Sequence, residues 1–101
     1  MTQDAQIITA KVGDIVEIPL EAMLSAGFQW EIFLPEEATA FKVLEVKWEK
    51  TPELPRAPGT PTIQKFRLQI LSRGATKIVF HYKRPWENKI RKEKMILLKV
   101  R

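Results

Sequence analysis

The strongest constraint on this chain is a period of two. Apolar residues take alternate positions along short runs: Val16, Ile18 and Leu20; Phe28, Trp30, Ile32 and Leu34; Leu44, Val46 and Trp48; Phe66, Leu68 and Ile70; Ile78, Phe80 and Tyr82. Successive side chains of an extended backbone point to opposite faces, so this alternation describes strands with one buried and one solvated face. Turn residues punctuate the runs at Val12-Gly13-Asp14, Pro35-Glu36-Glu37 and Ser72-Arg73-Gly74. Strands are expected over 6–10, 14–20, 28–34, 41–48, 62–71, 75–82 and 95–100. No stretch keeps a helical period over a helical length, and residues 36–40 hold one helical turn at most. Strands spaced about ten residues apart pack as two antiparallel sheets, so the expected fold is all-β, an immunoglobulin-like antiparallel β-sandwich. At 101 residues the chain makes a single domain, 1–101, able to bury about two-thirds of its unfolded surface.

The residue inventory narrows the chemistry. With no cysteine there is no disulfide framework, thiol nucleophile or thiolate metal site, and the antibody-type Cys pair is missing. His81 is the one histidine, and alternation with Phe80 and Tyr82 places it on the outer face of a strand. A zinc site needs more donors than that. Glu36-Glu37 reads as a solvated corner rather than a catalytic dyad, and no glycine-rich phosphate cradle is present. The expectation is therefore a protein that is not an enzyme, with no cofactor, no metal and no small-molecule substrate. No apolar run approaches the roughly 20 residues that span a bilayer, so no membrane role is expected. The first residues, Met1 to Gln6, lack a basic and then apolar leader pattern, which points to the cytoplasm, or to periplasm or secretion if a leader has been trimmed.

Charge is unevenly placed. Of 17 Lys/Arg and 12 Asp/Glu, residues 83–101 hold eight basic and two acidic groups, a balance of +6, while the first 82 residues come to −1. A basic segment of this kind meets an acidic protein, a nucleic acid or an anionic surface, or is simply a solvated hairpin loop. Single-strand binders interleave basic groups with stacking aromatics, and here Trp86 is the one aromatic inside the segment. Nucleic acid is accordingly the weakest of the candidate partners.

Three stretches interrupt the strands. Met23-Leu24-Ser25-Ala26-Gly27 is a run of mostly small residues in which Gly27 admits a positive φ and a close approach by another surface. It reads as an ordinary loop or as a tip that touches a partner through its main chain. Pro52, Pro55, Pro58 and Pro61 stiffen a long mid-chain loop around Gly59. Tyr82-Lys83-Arg84-Pro85-Trp86-Glu87 sets a tryptophan among charged residues after a turn-forming proline, so Trp86 is expected to be exposed, whereas Trp30 belongs to the core and Phe28 either to the core or beneath the loop.

Taken in order, Gly27-Phe28-Gln29-Trp30, the Pro/Gly loop at Gly59 and the late Arg84-Pro85-Trp86-Glu87 resemble the chagasin family, protein inhibitors of papain-like cysteine proteases. The resemblance spans essentially the whole chain, and the late motif is its most specific part. It implies an eight-stranded sandwich with three loops at one end. A monomer acting reversibly and without a covalent bond is expected, since the chain has no electrophile or reactive thiol. The first loop, Leu24, Ser25, Ala26, Gly27 and Phe28, would enter the protease cleft. Arg56, Ala57, Pro58 and Gly59 in the middle loop and Arg84, Pro85 and Trp86 in the last would grip the flanks. Where the family has Asn-Pro-Thr-Thr before the glycine, this chain has Met23, Leu24, Ser25 and Ala26, and Arg56 replaces the first glycine of the middle Gly-x-x-Gly. The alternative is an immunoglobulin-like binding module that uses the same loops on another protein.

Overall fold

Where apolar residues alternate, the chain is extended. The computed structural model describes residues 5–33, 40–50 and 62–101. Within them lie strands β1 (Ala5–Ala10), β2 (Ile15–Ala22), β3 (Gln29–Phe33), β4 (Phe41–Lys50), β5 (Thr62–Ile70), β6 (Gly74–Lys83) and β7 (Lys92–Val100). They form two sheets, one in the order β1-β7-β6-β3 and the other β2-β5-β4. Every pairing is antiparallel except β1 with β7, which run parallel. This is the expected all-β sandwich, with seven strands among the described residues. The middle loop residues Arg56, Ala57, Pro58 and Gly59, and the corner at Pro35-Glu36-Glu37, lie outside the described residues.

The inward positions of facing strands make the core. Phe66, Leu68 and Ile70 of β5, Ile78 and Phe80 of β6, and Ile96 and Leu98 of β7 are almost completely buried. Phe66 meets Phe80 edge to face across the sandwich, ring centroids 5.0 Å apart. Each such side chain contributes roughly 1.5–3 kcal/mol by leaving water. The outer faces are charged. Arg67 stands between Glu45 at 2.8 Å and Glu17 at 3.4 Å, and the Glu49 carboxylate 3.0 Å from Lys65 holds that ammonium above its usual pKa. His81 is on the outer face as expected, 3.1 Å from Glu93 and beside the Phe33 ring.

Two expectations need correction. Leu44, Val46 and Trp48 do not share one face. A bulge between Val43 and Glu45 inserts a residue, so Val43 pairs with Leu68 and Val46 with Phe66 on the inner side, although they are three apart. Leu44 is left exposed and Val43 packs on the core instead, while Val46 and Trp48, though opposite inward residues of β5, stay 41% and 38% exposed. The last strand also begins earlier than Met95, because Lys92, Glu93 and Lys94 pair with Tyr82, His81 and Phe80. Ladder hydrogen bonds, which ignore side-chain polarity, decide that boundary.

Register gathers the connections. Ala22, at the end of β2, and Lys50, at the end of β4, both lie opposite Thr62. Gln29, which opens β3, lies opposite Lys83, which closes β6. The β2–β3 turn and the β6–β7 loop therefore leave from the same end of the sandwich, where the paired ends of β4 and β5 also lie.

Candidate functional site

The turn between β2 and β3 is short and fully folded. Leu24–Ala26 makes a single 3-10 turn, ended by Gly27 at φ 86°. Ala26 N–H donates to Met23 O at 3.0 Å, Gly27 N–H to Leu24 O at 2.9 Å and Phe28 N–H to Met23 O at 3.2 Å. Three main-chain donors of the tip are thus used internally. Leu24 and Ser25 contribute no hydrogen bond from their N–H groups among the described residues, as expected of the first donors of any helical turn. Leu24, Ser25 and Ala26 are all exposed.

Both ends of the turn are fastened to the scaffold. Met23 N–H donates to the Tyr82 hydroxyl at 2.8 Å, which ties the entry to β6. At the exit, Trp30 is held three ways. Its N–H donates to Gln64 Oε1 at 2.8 Å, its carbonyl accepts from Gln64 Nε2 at 2.9 Å, and its indole Nε1–H donates to Glu21 O at 2.8 Å. Gln64 is 3% exposed and belongs to the other sheet, so one amide closes the free edge of β3 and bridges the sandwich below the tip. A buried amide is tolerated only when it is bonded in this way.

The third side of the tip is the β6–β7 loop. Glu87 N–H donates to Arg84 O at 3.0 Å, closing a turn over Arg84-Pro85-Trp86-Glu87, and Pro85 takes the second position, where its fixed φ suits a turn. Arg91 N–H donates to Tyr82 O at 2.8 Å and closes the base of the loop. From this frame Arg84 reaches across to the tip. Its Nε–H donates to Ala26 O at 3.0 Å, its guanidinium lies 4.4 Å from the centre of the Phe28 ring, and its Nη1 is 3.7 Å from Glu87 Oε2. Phe28 in turn stacks on Tyr82 at 5.2 Å, and Tyr82 meets Trp30 at 4.8 Å. Phe28 therefore supports the loop from beneath, resolving the two places open to it.

Trp86 completes the assembly. It is 72% exposed, yet one edge of its indole rests on Gly27. A Cβ built on Gly27 would stand 2.5 Å from Trp86 Cη2 and 3.1 Å from Cζ2. Glycine is required there twice over, for its positive φ and for room. The close approach expected at Gly27 is thus already made, by a tryptophan of the same chain. Leu24, 45% exposed, and the uncovered part of Trp86 are large apolar groups left open at the loop end.

Of the residues singled out in the sequence, the structure brings Leu24, Ser25, Ala26, Gly27 and Phe28 together with Arg84, Pro85 and Trp86. Arg56, Ala57, Pro58 and Gly59 are outside the described residues, although Lys50 and Thr62, at the ends of the flanking strands, pair at this end. Sequence reasoning passed over Gln64, and it read Tyr82 as an inward strand position and a neighbour of the last motif, not as a hydrogen-bond partner of the tip. The signal for Gln64 was available: an amide two residues before Phe66, on the inward side of an apolar alternation. No comparable signal marks the partner of Tyr82, which is a backbone N–H.

Comparison with known proteins agrees with this geometry. The profile of the chagasin family of peptidase inhibitors, I42, matches residues 9–100. No curated protein matches the chain significantly by sequence. Among solved structures, the cysteine protease inhibitor EhICP2 from Entamoeba histolytica is similar over 96% of this chain and 96% of its own, at 25% identity and a TM-score of 0.74. The solution structure of amebosin shares the fold at 24% identity and a TM-score of 0.67, covering 94% of this chain and 88% of that one. With a profile match across nearly its whole length, a sandwich of the same architecture and the Gly27/Trp86 pair at its loop end, the chain belongs to the chagasin family of peptidase inhibitors and is not an enzyme.

Proposed function

We propose that the protein is a reversible, non-covalent inhibitor of papain-like cysteine proteases, presenting the Leu24–Gly27 tip to the active-site cleft and Trp86 to its flank. The observation that carries this reading is the seating of Trp86 on Gly27 while 72% of it stays exposed, with Arg84 tied to Ala26 O beside it. Tip and flank are one preassembled edge. Little ordering entropy is lost when such an edge binds, and a large exposed aromatic next to a rigid turn has the profile of an interface hot spot. The middle loop, Arg56 to Gly59, takes the other flank on the strength of the family resemblance, with Arg56 tuning choice among targets.

The inhibition is non-covalent because the chain offers the catalytic thiol neither a cysteine nor an electrophile. The test is inhibition and binding measured side by side. A protease whose catalytic Cys is changed to Ala should bind within about tenfold of the parent enzyme. Ala26→Thr should alter affinity by less than about 1 kcal/mol, as small surface changes do, while Ala26→Trp should obstruct entry and weaken it at least a hundredfold. An Ala26→Trp variant as potent as the parent would remove the tip from the cleft. No inhibition of any papain-like protease at micromolar concentration would leave a binding module that uses the same loops on another protein.

A further inference from the structure

Charge at the loop end is one-sided. Residues 83–94 hold Lys83, Arg84, Lys89, Arg91, Lys92 and Lys94 against Glu87 and Glu93. Both acids are engaged within the chain: Glu87 Oε2 lies 3.7 Å from Arg84, and Glu93 Oε2 lies 3.1 Å from His81 on the outer face of the sheet. Lys83 and Lys89 make no ion pair among the described residues. Arg91 and Lys92 are exposed cations that lean on aromatic rings, 5.6 Å from Phe28 and 5.4 Å from Tyr82. Glu21 is the acid facing this group from the neighbouring sheet, where with Lys92, Glu93 and Lys94 it lines an open cleft. Counting Glu21, and Glu31 opposite His81 on β3, the flank built from residues 83–94 still carries an excess of two positive charges.

Resting on the inhibitor reading above, we propose that this flank recognises carboxylates, so that the preferred target is a papain-like protease with an acidic cleft rim on the side met by the β6–β7 loop. A basic border around an apolar anchor raises the encounter rate with an acidic surface and penalises a basic one. A nucleic acid fits the same charge less well, because Trp86 alone keeps an open stacking face. Phe28 is sandwiched between Tyr82 and Arg84, Tyr82 also carries Trp30 and Lys92, and an edge of Trp86 is seated on Gly27. Single strands need successive open aromatic platforms.

The experiment measures association and dissociation rates for two papain-like proteases, one with a net negative and one with a net positive cleft rim, at low and high salt. The parent is compared with Lys83→Glu/Lys89→Glu and with Lys83→Gln/Lys89→Gln, each checked by thermal melting. For the acidic-rim enzyme, association should slow about tenfold between low and high salt. The Glu pair should slow it by a similar factor at low salt, the Gln pair by less, with dissociation changed by less than about threefold. The basic-rim enzyme should associate faster with the Glu pair than with the parent. Rates that ignore salt and charge, or that respond alike for both enzymes, overturn the acidic-rim assignment while leaving inhibition intact. Failure to inhibit either enzyme overturns the inhibitor reading and this inference with it. Tight, salt-dependent binding of a single-stranded oligonucleotide that is lost in the Glu pair reassigns the flank to nucleic acid.

Discussion

Trp30 and Trp86 stand at the same end of the sandwich, yet one is 9% exposed and the other 72%. Trp30 sits within a strand, so the pleat sends its side chain inward, where its N–H, carbonyl and indole N–H are all bonded. Trp86 sits in a turn after Pro85, where no pleat directs it, and only an edge is covered. The same residue type thus builds the scaffold in one place and, in the proposed reading, addresses a protease in the other. Their common task is to fix the tip: Trp30 from below through Glu21 O, Trp86 from the side through Gly27.

The contrast breaks first, and most heavily, at the buried member. Trp30→Ala should cost about 3–5 kcal/mol of folding stability, the range for large-to-small change at a buried aromatic, and thermal melting should register a fall of more than about 10 °C for a domain of this size. An unchanged melt would mean that Trp30 holds no core. Trp86→Ala should do the reverse, losing about 2–4 kcal/mol of protease binding while the melt moves by the equivalent of less than about 1 kcal/mol, as for a surface substitution. Comparable losses in both measurements would erase the distinction between the two tryptophans.

Gln64→Leu sharpens the comparison from the scaffold side. It keeps the volume but leaves the Trp30 N–H and carbonyl without partners, so stability should fall by about 2–3 kcal/mol. Inhibition per folded molecule should weaken less than in Trp86→Ala. Native-state hydrogen exchange at the Trp30 amide reads the effect directly, and protection equal to the parent's would show that another group closes that edge. The smallest effect belongs to Gly27→Ala measured in a cycle with Trp86→Ala. Alone, the alanine meets both an adverse φ, costing about 1–2 kcal/mol, and the Trp86 ring. With Trp86 removed only the φ term remains, so the two substitutions should couple by about 1 kcal/mol. Strict additivity would show that indole and glycine do not touch in solution.

Much of this site was legible before the fold was known. The alternation of Phe66, Leu68 and Ile70, and of Ile78, Phe80 and Tyr82, named the core strands because burial of one face imposes period two on any sheet. The exposure of Trp86 followed from its charged neighbours and from Pro85. The bulge at Val43/Glu45 was illegible, since an inserted residue leaves the composition of the strand unchanged and shifts only its phase. From the sequence, Arg84 was assigned to gripping a protease flank. The structure gives it Glu87, Phe28 and Ala26 O within its own chain, partners distant in sequence and adjacent only after folding.

By itself the sequence determined the class of fold, the buried faces and the chemistry excluded, because periodicity and residue inventory act locally and survive without coordinates. Only the tertiary structure decided that the tip and the last loop form one rigid edge. That outcome rests on Trp86 meeting Gly27, Arg84 meeting Ala26 and Tyr82 meeting Met23, contacts between segments some sixty residues apart. They exist because antiparallel register returns the end of β6 to the side of the β2–β3 turn. Register is a property of strand pairing, which no single strand carries.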